Sequence, residues 1–302
     1  MKRRPARLSP ALLAPLAAVA AGAAGCGTPP PVSQFPTADA ALGRMRATYA
    51  CARGARAEAK LDRLSGQGRL RGTVLFLAVS PERVRFDALS PFGATLATLT
   101  SDGRDFSFLD LREKSFTRGP ASACNLARLT QVPVPGHALV ALLRGEAPVL
   151  AHRPEAAAIR WHGGGYYVLD VPGSNESRET LHLAPSPADF AKPWAEQRVR
   201  VLDVRVVQQG YELYHAELEG HAPASTAPPL VDEDGIEPTL PPSGPACTID
   251  VPRRIHVQVA PTDDDVLLSY RKVELNPPLP EGSFRQPVPG GVRELTAAPC
   301  DR

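Results

Sequence analysis

The sequence predicts a mainly β protein, an antiparallel barrel that does not close completely and whose mouth is covered by helices. In the stretch 81–119, Val84, Phe86 and Ala88 alternate with charged residues, which is the period of a strand with one solvated face. Turn residues recur at close intervals, and Asp102-Gly103 is a strong hairpin signal. The composition, with 33 Pro, 24 Gly and 6% aromatic residues, indicates many turns rather than long helices.

The individual elements follow from the same patterns. Thr37 is expected to cap a helix that ends near Ala50, and shorter helices are predicted at 122–131 and 137–144, on either side of a Pro133-Val134-Pro135 elbow. Strands are predicted at 55–64, 67–79, 82–89, 94–101, 104–110, 114–118, 157–162, 165–171, 178–184, 198–208, 211–220, 248–259 and 265–275. These elements indicate a single domain over residues 37–302.

The N-terminus has the features of a secretory signal peptide over residues 1–25. Four basic residues precede an Ala/Leu-rich run at 11–24 that is too short to span a membrane. This run ends in Ala23-Ala24-Gly25-Cys26, which resembles a bacterial lipobox, so Cys26 is predicted to be lipidated; the alternative is an ordinary secreted protein. Removing the leader lowers the formal net charge from +2 to −2, and the mature chain shows no nucleic-acid footprint.

Three segments are too rich in Pro to form regular elements. Residues 26–36 are expected to be a flexible tether. The Pro-rich and acidic segment at about 222–245 is predicted to be a disordered insertion or an excursion from a hairpin. The tail after Asn276 is expected to wrap the outside as irregular chain.

Four further cysteines, Cys51, Cys124, Cys247 and Cys300, allow three pairings in an exported chain. The pairs Cys51–Cys124 and Cys247–Cys300 are favoured, because each clips a sheet edge to the body and neither crosses 222–245. Free buried thiols are the alternative. There is no C-x-x-C spacing, so zinc binding and thioredoxin-like chemistry are not expected.

Motifs of catalysis are incomplete. His162-Gly163-Gly164-Gly165 has the letters of a lipase oxyanion loop but no G-x-S-x-G accompanies it, so we interpret it as a hairpin turn. Asp263-Asp264-Asp265 lacks the spaced ligands of a calcium loop. The seven His residues are scattered along the sequence, and we expect no metal site, no cofactor and no enzymatic activity.

The central block resembles a known family. The segments ERVRFDALSPFGATLATLTSDGRDFSFLD (82–110) and VPVPGHALVALLRGEAP (132–148) resemble the LolB outer-membrane lipoprotein receptors. The matching features are Pro91-Phe92-Gly93, Pro133-Val134-Pro135 and Leu143-Arg144-Gly145. The tail segment VELNPPLPEGSFR (273–285) is similar in style to the C-terminal strand of the periplasmic carrier LolA, which shares the fold.

The resemblance implies an incomplete barrel with a helical lid whose apolar concave face holds acyl chains. It further implies a lipid-anchored protein of the outer membrane, facing the periplasm, that accepts lipoproteins from a LolA-like carrier and inserts them into the membrane. Two alternatives stay open: binding of another lipid or glycolipid, and a structural or interaction role in an envelope assembly.

Two sets of site residues follow. Alternation along the strands, with the apolar face of the lid helix, predicts that the interior is lined by Phe76, Phe86, Leu96, Phe106, Leu139 and Leu142, although ordinary core packing uses the same residues. Phe92 lies between Pro91 and Gly93, which force a tight turn, so its ring is predicted to point outward as a membrane-inserting tip. The competing interpretation is that this ring folds back over the sheet.

Overall fold

The computed structural model describes residues 27–66, 68–130, 132, 134–232, 234–236 and 238–297. The predicted signal peptide, Cys26, Pro133 and Cys300 lie outside these ranges. Within the ranges, no helix combines the length and the apolar character that crossing a membrane requires.

The described residues form three α-helices: α1 (Ala38–Tyr49), α2 (Ala123–Thr130) and α3 (Gly136–Leu143). The start of α1 agrees with the prediction, because the Thr37 hydroxyl accepts a hydrogen bond of 3.1 Å from the backbone N–H of Ala40. Leu42, Met45 and Tyr49 give this helix a buried apolar face.

Most of the regular secondary structure outside the helices is β-structure. The strands are β1 (Gly54–Ser65), β2 (Gly68–Val79), β3 (Arg83–Leu89), β4 (Thr95–Ser101), β5 (Asp105–Asp110), β6 (Ser115–Pro120), β7 (Ala158–His162), β8 (Tyr166–Pro172), β9 (Ser177–Pro185), β10 (Val199–Gln208), β11 (Tyr211–Glu219), β12 (Ala222–Ser225), β13 (Thr248–Val251), β14 (Arg254–Val259), β15 (Asp264–Leu275) and β16 (Arg293–Thr296). The predicted meander corresponds to β1–β6.

Fourteen strands form one open sheet in the order β16-β6-β5-β4-β3-β2-β1-β15-β14-β11-β10-β9-β8-β7. Its pairs are antiparallel except for the parallel pair β16–β6. Because β16 and β7 are edges that do not meet, the barrel is incomplete, as predicted. The predicted strand 248–259 is divided, since Pro252 has no backbone N–H to continue a ladder; β13 pairs with β12 in a separate sheet and β14 joins the main one.

One face of the sheet carries the hydrophobic core. Ala57, Phe76, Phe86 and Leu99 lie directly across from one another on four neighbouring strands, and all four side chains are buried. The helices pack against this concave face: α1 contacts β10, α2 contacts β4 and β5, and α3 contacts β2 and β3. The helical cover expected from the sequence is therefore present.

The predicted disulfide pairing is wrong. Cys51 is bonded to Cys247, across a sequence separation of 196 residues. The Asn276 side chain explains the proximity, because its Nδ2 donates to the carbonyl oxygens of both Cys51 and Pro245, at 2.8 Å each. Cys124 is also in a disulfide.

The expected flexible tether is held against the domain. Phe35 is buried and packs edge-on against the ring of Tyr167, at 5.1 Å between centroids. The Ser33 hydroxyl accepts from Trp194 N at 2.9 Å, and Thr28 N donates to Gly163 O at 2.7 Å. The segment has too few apolar residues for a core of its own, and it is docked by one aromatic side chain together with these hydrogen bonds.

Of the two alternatives for the segment 222–245, the described residues show the excursion from a hairpin. At its start β12 pairs with β13, which lies just after the segment, and Leu230 and Leu240 form a further bridge within it. The tail wraps the outside of the sheet as predicted, since the Gln286 side chain donates to Thr98 O and Ser107 O at 3.2 and 3.1 Å. It is not irregular throughout, because β16 forms a strand that pairs with β6.

Candidate functional site

An aromatic floor lies on the concave face of β2, β3 and β15. The rings of Phe76 and Phe86 are stacked at 5.7 Å between centroids, and the ring of Tyr270 lies 5.2 Å from that of Phe76. Strand pairing explains this arrangement, because Phe76 lies directly opposite Phe86. These three residues form a continuous apolar surface, and we call it the aromatic floor.

Helix α3 covers the aromatic floor and is attached by polar contacts at its C-terminal end. The Tyr270 hydroxyl donates to Leu143 O at 3.1 Å. Arg144, directly after the helix, donates from Nε to Ala52 O at 2.7 Å and from Nη2 to Tyr49 O at 3.3 Å. The backbone C=O groups at a helix C-terminus lack intrahelical partners. The hydrogen bond from Tyr270 therefore supplies a partner for the C=O of Leu143, the last residue of α3.

The predicted lining residues mostly occupy the interior. Five of the six belong to one buried core cluster with exposed fractions of 2–4%: Phe76, Phe86, Phe106, Leu139 and Leu142. Leu96 is not among them and is only half-buried. It is the extra residue of a bulge, since Ala97 pairs with Ala88 and Thr95 with Leu89; Leu99 takes the place beside Phe86.

The interior side chains pack against one another in this conformation. Leu139 and Leu142 of α3 belong to the same buried cluster as the aromatic floor, and α3 contacts β2 and β3, which carry Phe76 and Phe86. An elongated apolar ligand therefore enters only if the helix moves away, and it then replaces contacts that the two leucines made. Such an exchange leaves the buried apolar area nearly unchanged. Its net free-energy change is therefore small compared with the free energy of burying the same area from water.

The interior also contains a fully buried carboxyl group, Glu179 on β9. Its Oε2 accepts a 2.8 Å hydrogen bond from Leu150 N, and its Oε1 has no partner among the described residues. Burial raises the pKa of Glu179 to about 8, so the side chain is protonated at neutral pH. The alternation of β9 places this residue on the apolar face, which the sequence analysis did not recognise.

Phe92 lies at the tip of the turn between β3 and β4, with 97% of its surface exposed. The turn is closed by hydrogen bonds from Gly93 N to Ser90 O, and from Ala94 N to the Ser90 hydroxyl, both 3.0 Å long. Gly93 has a φ of +84°, a conformation that favours glycine. The ring therefore projects into solvent and does not fold back over the sheet.

Other exposed apolar residues lie at the same end of the strands. Because β1, β3 and β5 run in the same direction, the turns that follow them share one rim of the meander. Leu64 and Leu70 flank the first turn and Leu111 lies in the third, and all three are exposed. We call Leu64, Leu70, Phe92 and Leu111 the apolar rim.

A separate cleft of about 620 Å³ lies on the convex face, between the tail and β4–β6. Polar and charged groups line much of it, including Thr100, Asp102, Ser107, Arg118 and Gln286. A pocket for an acyl chain needs a predominantly apolar lining, so this cleft is a poorer candidate than the concave face despite its open volume.

Comparison with known proteins agrees with the observed fold. A DUF1329 family protein from Desulfovibrio piger is similar, with a TM-score of 0.51 at 9% identity, over 82% of this chain and 96% of that one. A LolA superfamily protein from Nitrosomonas europaea has a TM-score of 0.48 at 15% identity, over 83% and 98% of the two chains. A putative outer membrane lipoprotein-sorting protein domain from Vibrio parahaemolyticus has a TM-score of 0.43 at 10% identity, over 80% and 95%. No protein-family model and no curated protein matches the sequence.

Proposed function

We propose that this protein binds acyl chains of lipids or lipoproteins in its concave interior and passes them to a membrane, without catalysing a reaction. The observation that carries the proposal is the aromatic floor beneath α3: an extended apolar surface covered by a helix of eight residues. Holding an acyl chain requires an apolar, shaped surface and no catalytic group.

Loading is proposed to proceed by displacement of α3. The polar attachments at its C-terminal end come from Tyr270 and Arg144, and His137 near its start lies 4.0 Å from the Glu82 carboxylate. The buried face of the helix is otherwise formed by apolar side chains that belong to the core cluster. When the helix moves, the acyl chain takes over the contacts of Leu139 and Leu142 with the floor. The helix thus has the role of the lid that the family resemblance implies.

We further propose that the protein is lipid-anchored through Cys26, resides in the outer membrane facing the periplasm, and receives its cargo from a LolA-like carrier. The leader and the lipobox of the sequence support the anchor. The chain is attached to the domain only two residues after Cys26. Thr28 N donates to Gly163 O at 2.7 Å, and Thr28 O accepts from Trp161 Nε1 at 3.0 Å.

Delivery is assigned to the apolar rim, and Phe92→Glu tests it. Inserting a Phe ring into a bilayer contributes about 1.5–3 kcal/mol. We expect the variant to retain its melting temperature and acyl uptake, because the ring makes no core contact, but to transfer a fluorescent acyl probe to liposomes at least about tenfold more slowly. Transfer rates of the full chain into phospholipid vesicles provide the measurement.

The matched control is Ile236→Glu, which introduces the same charge at a residue that is 85% exposed in the 222–245 excursion. This variant should transfer the probe at the rate of the unmodified protein. A Phe92→Glu protein that loses several degrees of melting temperature, or that transfers the probe at the unmodified rate, would contradict the role of the rim in delivery.

A further inference from the structure

A row of polar residues crosses the convex face of the sheet on four neighbouring strands. His182 on β9 lies opposite Asp203 on β10, Asp203 lies opposite Glu217 on β11, and Glu217 lies opposite His256 on β14. His215 precedes Glu217 by two residues and therefore points to the same side. The neighbours in sequence, such as Leu181, Val204 and Ala216, face the core instead.

Three members of this row bring their ligand atoms together. Nε2 of His215 lies 2.5 Å from Oδ2 of Asp203, and one donor atom each of Asp203, His215 and Glu217 lies within 4.8 Å of the other two. The side chains of His215 and Asp203 are only 12% and 16% exposed. They are therefore held in place by their surroundings. His182 is close as well, with Nδ1 3.9 Å from Oδ1 of Asp203.

A second layer of contacts orients Glu217. His256 lies between two carboxylates, with Nδ1 3.2 Å from Oε2 of Glu217 and Nε2 2.8 Å from Oδ1 of Asp265. Both ring nitrogens are thus engaged, and the imidazole fixes the carboxylate beside it. Carboxylate and imidazole ligands of metals are commonly held by such outer partners.

We propose that Asp203, His215 and Glu217 form a binding site for a first-row divalent transition-metal cation such as Zn²⁺, with His182 near a fourth position. Zn–N and Zn–O distances of about 2.0–2.2 Å place neighbouring ligand atoms roughly 3.4 Å apart. The hydrogen bond between His215 and Asp203 widens to admit the ion, while the Glu217 carboxylate moves inward. Imidazole among the donors favours Zn²⁺, Cu²⁺ or Ni²⁺ over Ca²⁺ and Mg²⁺.

This site is separate from the concave interior, and the proposal does not depend on acyl binding. The simpler interpretation of the same residues is a ladder of hydrogen bonds and ion pairs that holds β9, β10, β11 and β14 in register. A ladder of this kind has no particular affinity for a cation. The two interpretations therefore differ in metal affinity.

The test is calorimetric titration of Zn²⁺ into the full chain after treatment with a chelator. We expect one saturable equivalent, accompanied by a rise in melting temperature, and no saturable binding of Ca²⁺. Asp203→Asn and His215→Ala should each weaken Zn²⁺ binding by at least about tenfold, and His256→Gln by roughly tenfold with unchanged stoichiometry. His137→Ala, which removes an exposed imidazole on α3, is the matched control and should bind as the unmodified chain does.

The proposal is overturned if the unmodified chain shows no saturable Zn²⁺ binding, or if Asp203→Asn and His215→Ala bind as tightly as His137→Ala does. Circular dichroism of each variant establishes that it is folded. If either ligand variant unfolds, His256→Gln decides by itself, since it alters a more exposed residue outside the first set of ligands. Unchanged Zn²⁺ affinity in that variant also counts against the site.

Discussion

Arg144→Met is expected to lower the free energy of unfolding by about 3–5 kcal/mol, because the guanidinium is a buried charge with buried partners. Its Nη2 lies 3.4 Å from Oε2 of Glu146, in addition to the bonds to Ala52 O and Tyr49 O. Burial raises the pKa of the Glu146 carboxyl, and Arg144 opposes this shift. Removing the arginine leaves that carboxyl and two carbonyl oxygens without the partner that the fold provides.

Chemical denaturation followed by circular dichroism measures this loss. Arg153→Met, at an exposed arginine, is the control and should change the stability by less than about 0.5 kcal/mol. Adding Glu146→Leu to Arg144→Met should restore part of the stability, since the second change removes the unpaired carboxyl. If Arg144→Met lowered the free energy of unfolding by less than about 1 kcal/mol, the contacts of Arg144 would not be what stabilises the C-terminal end of α3.

Glu179→Gln is expected to change the pH dependence of stability. The pKa of Glu179 is about 8 in the folded protein and near 4.5 in the unfolded chain. The folded state therefore holds an extra proton between these values, and the stabilisation is complete below pH 4.5 and is lost as the pH rises to 8. Gln does not titrate, so the variant lacks this loss. Between pH 5 and pH 8 its free energy of unfolding should rise by on the order of 3 kcal/mol relative to that of the unmodified protein.

Only the difference between the two proteins is informative, because other groups titrate in the opposite sense. Burial lowers the pKa of His221 to about 4, and that group makes the fold more stable as the pH rises. Glu155→Gln, at an exposed carboxyl, is the control and should follow the unmodified protein at every pH. Parallel stability curves for the unmodified protein and Glu179→Gln would contradict the assignment of a buried, protonated carboxyl.

Local signals predicted most of the secondary structure. Thr37 followed by a periodic apolar stripe located α1, and Asp102-Gly103 and His162-Gly163-Gly164-Gly165 marked turns that the structure contains. These features depend on backbone preferences over a few residues, so a single sequence is sufficient to recognise them. The exposed position of Phe92 was also predicted, from the Pro and Gly beside it.

Features that depend on long-range contacts were missed. The Cys51–Cys247 bond follows from the position of Asn276, which is 225 residues from Cys51 in sequence and draws both segments to one place. The bulge that removes Leu96 from the interior arises from a register shift between β3 and β4 and has no signature in either strand alone. Arg144 was noted only as part of a motif, since its acceptors are on another element.

The polar row illustrates the same limit. His182, His215 and His256 are far apart in sequence and follow no metal-binding spacing, which led to the expectation of scattered histidines. Pairing of β9, β10, β11 and β14 assembles them. The local signal in the sequence was the spacing His215-x-Glu217, which places both side chains on the solvent-facing side of one strand. It becomes informative only when the neighbouring strand is known to carry Asp203 opposite Glu217.

The most direct test of the central proposal is photo-crosslinking of the full chain with a long-chain fatty acid that carries a diazirine, followed by mass spectrometry of the labelled peptides. An acyl chain held beneath α3 labels the aromatic floor and the helix above it, so the account predicts adducts on peptides that contain Phe76, Phe86, Leu139 and Leu142. Labelling confined to the convex cleft, at peptides that contain Ser107, Arg118 or Gln286, or an absence of specific labelling, would contradict it.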